Sequence, residues 1–237
     1  MRLRTALHGA WVYGVTFLLI ALFLLLLPFP RAAMRSGLKV WAALMVFGLR
    51  LFGGVRLEVR GVEHLPEGSY LIAAKHQSMF DIAPPFTYAP DMLFVMKKEL
   101  AGIPAFGWLS RKAKMIAVDR DAHAQALRDL VADAKRLMAE PRQLLIFPEG
   151  TRRPPGAPTE YKPGVAALYR ELNLPCVPVA TNSGVCLDAQ GLAIKPGVMV
   201  VQILEPIAPG LKRVEFMRTL QERIETASAE LLQAPIG

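Results

Sequence analysis

The sequence of residues 70–81, YLIAAKHQSMFD, decides how the rest of the chain folds. Its first five residues are apolar, as in a strand that is buried on both faces of a parallel sheet. His76 and Asp81 follow, so they would lie at the carboxyl end of that strand, where open α/β sheets place their chemistry. A histidine held by a carboxylate can take a proton from a hydroxyl near neutral pH. We therefore expect His76 to be a general base that Asp81 orients.

The same residues also fit a purely structural interpretation. Ser78 and Asp81 have the spacing of a helix capping box, in which a hydroxyl and a carboxylate bind the first free backbone N–H groups. A carboxylate is also favoured near the positive end of a helix dipole. His76 would then be an ordinary histidine in a turn. Residues 70–81 alone leave both interpretations open.

Apolar segments on either side of this stretch predict the remaining strands and helices. Short apolar runs predict strands, and apolar residues at spacings of three and four predict amphipathic helices. Their alternation indicates an α/β fold with a mainly parallel central sheet and helices on both faces. The predicted strands are 55–60, 70–74, 92–96, 115–118, 143–147, 176–180 and 198–204, and the predicted helices are 121–139, 164–172 and 214–232.

An uncharged apolar segment precedes this domain. Residues 5–30 contain no Asp, Glu, Lys or Arg, and residues 17–27 are apolar all round, unlike a surface helix of a soluble protein. About 20 apolar residues suffice to cross a bilayer. A signal peptide is the alternative, but the apolar part is long for one, and Pro28-Phe29-Pro30-Arg31 is a poor cleavage site. We expect the segment to be retained.

A second apolar segment, residues 40–49, is short for a span because Arg50 interrupts it. Basic residues lie on both sides of the first segment, which by the positive-inside rule places both its ends on the cytoplasmic side. Two arrangements remain: two true spans, or a helical hairpin that enters and leaves the same leaflet, which we favour. We therefore expect a hydrophobic helical pair in a membrane-associated segment over residues 1–53, followed by the α/β domain over residues 54–237.

The composition indicates anionic and apolar partners. The chain has 28 Lys and Arg against 20 Asp and Glu, a formal net charge of +8, and 53% hydrophobic residues. Excess positive charge favours nucleic acid, anionic lipid or phosphorylated substrates, and nucleic acid is disfavoured because the basic residues are not interleaved with aromatic ones. Cys176 and Cys186 have no zinc or redox spacing, so we expect small buried hydrophobes. No metal-ligand cluster is evident, and we expect no metal.

Two further polar clusters come directly after predicted strands. Residues 97–99, KKE, follow one strand, and residues 147–153, FPEGTRR, follow another. The second cluster offers a glycine for close backbone approach, a hydroxyl, and two guanidinium groups suited to phosphate. Each cluster also has a purely structural interpretation. Residues 97–99 could be a charged helix start, and residues 147–153 could be a turn with solvated arginines. Together with His76 they would converge on one cationic edge of the sheet.

Four sequence blocks follow one another along the chain: His76-x-x-x-x-Asp81, Lys97-x-Glu99-Leu100, Phe147-Pro148-Glu149-Gly150-Thr151-Arg152 and Val177-Pro178-Val179. Together they resemble the four blocks of the glycerolipid acyltransferases, in particular the bacterial enzymes that acylate 1-acyl-sn-glycerol 3-phosphate. The similarity extends over roughly residues 55–205, and one departure is Lys75, where asparagine is common in the family. Lys75 should add a charge near the site without affecting proton transfer.

The resemblance implies a reaction and a role for each matching residue. His76 would deprotonate the sn-2 hydroxyl of lysophosphatidic acid, which would attack the thioester carbonyl of acyl-CoA or acyl-carrier protein, while Asp81 would fix the imidazole. Phosphatidic acid and a free thiol would result, with no cofactor besides the acyl donor. Substrate phosphate binding would fall to Lys97 and Arg152, with Glu149, Gly150 and Thr151 shaping the pocket and Pro178 forming part of its wall.

The resemblance also implies a location, the bacterial inner membrane with the catalytic domain on the cytoplasmic side. The partners would be a membrane lipid substrate, the acyl donor and an anionic membrane surface, and no nucleic acid. Two alternatives are an acyltransferase for another lyso-lipid acceptor and a non-catalytic membrane protein that binds anionic lipid. We assign no role to His8, His64 or His123, and Trp108 could be an interfacial anchor or part of the core.

Overall fold

The computed structural model describes residues 2–119 and 123–233, which form seven strands and nine α-helices. The strands are β1 (Val55–Arg60), β2 (Tyr70–Ala74), β3 (Met92–Lys97), β4 (Ile116–Val118), β5 (Gln143–Ile146), β6 (Cys176–Thr181) and β7 (Gly197–Ile203). The helices are α1 (Arg2–Leu24), α2 (Arg31–Leu51), α3 (Pro85–Tyr88), α4 (Lys98–Ala101), α5 (Phe106–Lys112), α6 (His123–Leu137), α7 (Gly164–Leu172), α8 (Ser183–Cys186) and α9 (Arg213–Gln233).

The predicted α/β fold and its N-terminal helical pair are confirmed. Each predicted strand is present within two residues of its expected bounds, and the predicted helix 164–172 is α7. The predicted helix 121–139 corresponds to α6, although its first residue, Asp121, lies outside the described residues. The short helices α3, α4, α5 and α8 were not predicted, because one or two turns carry too little apolar periodicity to be recognised.

The order of strands in the sheet is β1-β7-β6-β2-β5-β3-β4. Every neighbouring pair is parallel except β6 and β7, which are antiparallel. The three strands β2, β5 and β3 are adjacent and run in the same direction. The three loops that follow them therefore meet at one edge of the sheet, as the sequence indicated.

The sheet carries a hydrophobic core on each face. On one face, strand residues such as Ile72 and Val177 pack with α2 and α3 through Met45 and Phe86. On the other face, α6, α7 and α9 pack against alternate strand residues such as Leu71. Successive side chains of a strand point to opposite faces, which is why neighbouring residues of β2 belong to different cores.

The N-terminal helices α1 and α2 pack side by side in opposite directions. Trp11 donates its ring N–H to the carbonyl of Leu44 at 2.9 Å, and Trp41 donates to the hydroxyl of Thr16 at 3.3 Å. Both helices are long and apolar enough to cross a bilayer by length and composition. The expectation of a short second segment is wrong, since α2 begins at Arg31 and continues through Arg50 to Leu51.

Helix α2 belongs to the core of the α/β domain as well as to the helical pair. Its residues Ala42, Met45 and Leu49 are buried in the same cluster as strand residues. At its start, Arg31 binds both carboxylate oxygens of Asp91, at 2.7 and 2.6 Å, next to β3. The division into residues 1–53 and 54–237 stays a prediction. The shared core of α2 and the sheet means that the two parts pack directly on each other.

We predict that Gly48→Ala destabilises the helical pair. A Cβ atom added at Gly48 would lie 2.0 Å from the ring of Trp11, so the ring or the helix must shift. Overpacking of this kind costs about 1–3 kcal/mol of the free energy of unfolding. The measurement is thermal or chemical unfolding of the detergent-solubilised protein. Gly14→Ala on α1 is the matched control, since nothing lies within 4 Å of its added Cβ. Equal stability of the two variants would contradict the packing argument.

Candidate active site

His76 and Asp81 are paired at the carboxyl end of β2. The ring nitrogen Nδ1 of His76 lies 3.2 Å from Oδ2 of Asp81, and the two side chains are 17% and 4% exposed. The imidazole stacks on the ring of Phe147 with 3.9 Å between ring centroids. A carboxylate can only accept, so Nδ1 carries the hydrogen when the ring is neutral. The other ring nitrogen, Nε2, then presents a lone pair to a substrate hydroxyl.

The carboxylate of Asp81 also holds the turn that carries His76. Its Oδ2 accepts hydrogen bonds from the backbone N–H groups of Gln77 at 2.7 Å and Ser78 at 2.8 Å. Ser78 caps the 3₁₀ turn Met79–Ile82 and forms the expected capping box with Asp81. The capping box is therefore present, and it is compatible with the predicted His76–Asp81 pair, because one oxygen atom contacts both the turn and the imidazole.

Glu149 lies beneath His76 rather than at the open edge. Its side chain is fully buried, with Oε1 in an ion pair with Nζ of Lys75 at 2.7 Å. Its Oε2 accepts the backbone N–H of His76 at 3.1 Å. Burial raises the pKa of Glu149, and the Lys75 ammonium opposes this shift. The charge of Lys75 thus points inward to a carboxylate, away from the solvent side of the site.

The other residues expected to bind phosphate are exposed at this edge. Lys97 ends β3, and Thr151 and Arg152 lie in the loop that follows β5. Arg152 donates from Nη1 to the carbonyl of Ala189 at 2.6 Å, which fixes one side of its guanidinium group. Gly150 precedes them with a φ of 65°, a left-handed conformation that favours glycine.

Pro178 lies away from this edge. It is buried inside β6, opposite Ala73 of β2, and the strand continues for three more residues to Thr181. The structure therefore brings His76, Asp81, Lys97, Gly150, Thr151 and Arg152 to loops of one edge, with Glu149 below them. It does not bring Pro178 there.

A hairpin that the sequence did not reveal completes the edge. Leu187 and Ile194 form an antiparallel bridge, and we call residues 187–194 the edge hairpin. The carbonyl of Ala189 in the edge hairpin accepts the backbone N–H of Met79 at 3.0 Å as well as Arg152. Asp188 and Gly191 are typical turn residues, but a turn signal does not say where the turn packs.

His8 connects helix α1 to the edge hairpin. Its side chain is buried, and its Nε2 lies 3.2 Å from the carbonyl oxygen of Gly191. The sequence assigned no role to His8 or His64, and His64 likewise has a partner, the carbonyl of Ile203 at 3.2 Å. The side chain of His123 lies outside the described residues. The first turns of α1 are thus in contact with the loop that supports Arg152.

Both cysteines are buried and unsuited to nucleophilic chemistry. Cys176 and Cys186 are free thiols, and burial raises the pKa of each. Within residues 2–119 and 123–233, no three His, Cys, Asp or Glu side chains are grouped so that they could hold a metal ion. The one histidine at the edge with a carboxylate partner and an accessible nitrogen is His76, among the residues that the structure describes.

Comparison with known proteins places this chain in a family. The sequence model of the family described as "Acyltransferase" matches residues 56–182. A 1-acyl-sn-glycerol-3-phosphate acyltransferase of Pseudomonas aeruginosa is 35% identical over 195 residues, which cover 82% of this chain and 74% of the relative. The 1-acyl-sn-glycerol-3-phosphate acyltransferase alpha of Mus musculus is 26% identical over 213 residues, covering 86% and 71%.

The fold is shared with a solved structure. The crystal structure of the 1-acyl-sn-glycerophosphate (LPA) acyltransferase PlsC from Thermotoga maritima matches with a TM-score of 0.81. The match covers 100% of this chain and 99% of the other, at 20% sequence identity. It therefore includes the N-terminal helical pair as well as the α/β domain.

Proposed function

The chain belongs to the acyltransferase family, and we propose that it moves a fatty acyl group from an acyl thioester to the sn-2 hydroxyl of 1-acyl-sn-glycerol 3-phosphate. The product would be phosphatidic acid, made for phospholipid biosynthesis. The observation that carries the proposal is the His76–Asp81 pair at an edge that also presents Lys97 and Arg152. The acyl donor would be acyl-CoA or acyl-carrier protein, with no further cofactor.

The His76–Asp81 pair supplies the proton transfers of this reaction. Nε2 of His76 takes the proton of the hydroxyl as its oxygen forms the new bond to the thioester carbonyl carbon. When the carbon–sulfur bond breaks, the thiolate leaves and takes that proton from the imidazolium. Asp81 keeps Nδ1 protonated and stabilises the imidazolium while it exists. No acyl-enzyme is required, which agrees with the burial of both cysteines.

The cations at the edge suit the phosphate of the acceptor. A guanidinium group can bind phosphate oxygens in pairs, whereas a lysine acts as a compact point charge. Arg152 is anchored by Ala189 and so offers a preset orientation. With Lys97 on the neighbouring loop, it would hold the glycerol phosphate while His76 acts on the hydroxyl.

We infer that the domain works against the cytoplasmic surface of the inner membrane. Acceptor and product carry acyl chains, whereas the donor is carried on a water-soluble thiol, so an interfacial site serves both. The helical pair would anchor the chain, in a shallow hairpin rather than two lipid-surrounded spans, since one face of α2 packs on the sheet. The basic surface would add about 1 kcal/mol per Lys or Arg near anionic lipid.

Helix α5 and the segment before it offer a further contact with the membrane. Ile103 and Trp108 are 48% and 53% exposed, whereas the ring N–H groups of Trp11 and Trp41 are bonded within the helical pair. The inner face of α5 packs against α1 through Leu109. Its exposed apolar residues are thus continuous with the proposed anchor, and tryptophan favours the membrane interface.

We predict that His76→Ala lowers turnover by about 10²–10⁴-fold, the usual contribution of a general base. The measurement is thiol release by the detergent-solubilised protein with acyl-CoA, with and without lysophosphatidic acid. His64→Ala is the control, since His64 lies outside the site and contacts Ile203 instead.

The outcomes of this assay separate the candidate functions. Release that requires the acceptor and is lost in His76→Ala supports the proposal. Release without an acceptor would indicate a thioesterase. Thiol release with another lyso-lipid but not with lysophosphatidic acid would identify a different acceptor. If neither acyl-CoA nor acyl-carrier protein gave any thiol release, the result would favour a non-catalytic lipid-binding protein.

Arg152→Ala should raise the KM for lysophosphatidic acid, because the acceptor phosphate loses a charge-assisted partner. The same substitution should leave the KM for the acyl donor unchanged. Arg136→Ala is the control, since Arg136 is an exposed residue of α6 paired with Asp133. An acceptor KM equal to that of the unaltered protein would remove Arg152 from the phosphate site.

Trp108 should enter the interface when the protein binds vesicles. We predict that brominated phospholipids quench a fluorescence component that is missing in Trp108→Phe, and that lipid protects this component from acrylamide. Trp11 and Trp41 remain in both proteins, so the difference between the two emission spectra isolates Trp108. If brominated lipid does not quench the emission component that is missing in Trp108→Phe, α5 stays in water.

A further inference from the structure

Lys75 is a buried lysine placed directly before the catalytic histidine. Its side chain is 2% exposed and lies between two carboxylates. Its Nζ is 2.7 Å from Oε1 of Glu149 and 2.8 Å from Oε2 of Glu225 on α9. Tyr161 donates its hydroxyl to the other oxygen of Glu225 at 2.8 Å. The ammonium is therefore enclosed by acidic partners from two separate parts of the chain.

Such an arrangement needs an explanation beyond stability. Removing two charges from water is costly, and their mutual attraction often does no more than offset this cost. Apolar residues of similar volume frequently serve as well in a core. A buried lysine between two glutamates is thus weak evidence for stabilisation, and its position next to His76 suggests that it serves the site.

Glu149 connects Lys75 to the backbone of His76. One oxygen of Glu149 contacts Lys75, and the other accepts the N–H of His76 at 3.1 Å. Four residues on, the backbone N–H of Arg153 donates to the carbonyl of His76 at 2.8 Å. The loop after β5 therefore holds both backbone polar groups of His76, while Asp81 holds its ring.

We propose that Lys75 and Glu149 are positioning residues for His76, a role that rests on the proposed acyl transfer. Lys75 keeps Glu149 ionised and aimed, and Glu149 fixes the peptide of His76 from below. Asp81 orients the ring about that fixed peptide. Glu149 then acts through His76 and does not bind the acceptor, in contrast to the role that the family resemblance implied for it.

The proposal has a pH dependence with a defined sign. Among the described residues, the titratable residues that contact Glu149 or act on its charge are Lys75, His76, Glu225 and Tyr161. Burial raises the pKa of Glu149, and Lys75 lowers it. The hydrogen bond to His76 is strongest above that pKa and weakens as the pH falls through it. Removing Lys75 raises the pKa of Glu149 further. The acidic limb of the pH–activity profile should therefore shift to higher pH.

The test compares Lys75→Met with the double variant Lys75→Met/Glu149→Gln. In the single variant, Glu149 is left buried without its cation. We expect kcat to fall by about tenfold or more through misplacement of His76, while the KM for lysophosphatidic acid is unchanged. In the double variant, a neutral amide can still present its oxygen to the His76 N–H, so kcat should recover and the shift of the acidic limb should disappear.

A matched control comes from the surface of the protein. Lys135 forms an ion pair with Glu171 at the same 2.7 Å distance, but its side chain is 51% exposed. Lys135→Met should leave kcat, KM and the pH profile unchanged. Thermal unfolding of all variants shows whether each one is folded at the assay temperature.

Hydrogen exchange provides a readout that does not need activity. The His76 amide should exchange faster in Lys75→Met and slow again in the double variant. Unchanged exchange and kcat in Lys75→Met would overturn the positioning role, as would a loss confined to KM or a double variant slower than the single one. If the unaltered protein transferred no acyl group, the proposed function would fail, and the exchange rates would still decide whether Lys75 and Glu149 hold His76.

Discussion

One carboxylate oxygen determines the local geometry at the sheet edge that carries the candidate site. Oδ2 of Asp81 faces three donors, the ring of His76 and the backbone N–H groups of Gln77 and Ser78. Because the same atom organises the turn and contacts the imidazole, folding of the turn also places the partner of the His76 ring. The proposed general base thus depends on the folding of residues 76–81, and the rest of the domain presents that turn at the edge of the sheet.

The order of strands makes this presentation possible. β2 lies between β6 and β5, and β3 follows β5, so the loops carrying His76, Arg152 and Lys97 are neighbours. Sequence patterns could predict the strands, because buried parallel strands appear as short apolar runs bounded by polar residues. The polar clusters that follow three of these runs predicted the common edge. The antiparallel β6–β7 pair could not be predicted in this way, because an apolar run has no direction.

Other parts of the site depend on contacts between distant residues. Lys75 and Glu225 are 150 positions apart, and His8 and Gly191 are 183 apart. No local spacing links such pairs, so the sequence placed Glu149 at the phosphate and left His8 without a role. A block such as residues 147–152 indicates which residues belong to a site. It does not say which side chains face the substrate and which, like Glu149, face inward.

Helix α2 has a consequence for how the protein is made. Its inner residues pack with Met199 of β7 and with β1, and β7 is the one neighbour of β1 in the sheet that the described residues form. During synthesis, α1 and α2 emerge first, but β7 is made about 150 residues after α2, roughly 7–30 seconds later at ribosomal rates. An apolar helix face that lacks its packing partner for that time must be shielded from water by another apolar surface. Contact of the nascent helical pair with lipid would provide it, so membrane attachment would precede completion of the sheet, and the domain would mature already seated at the surface where it works.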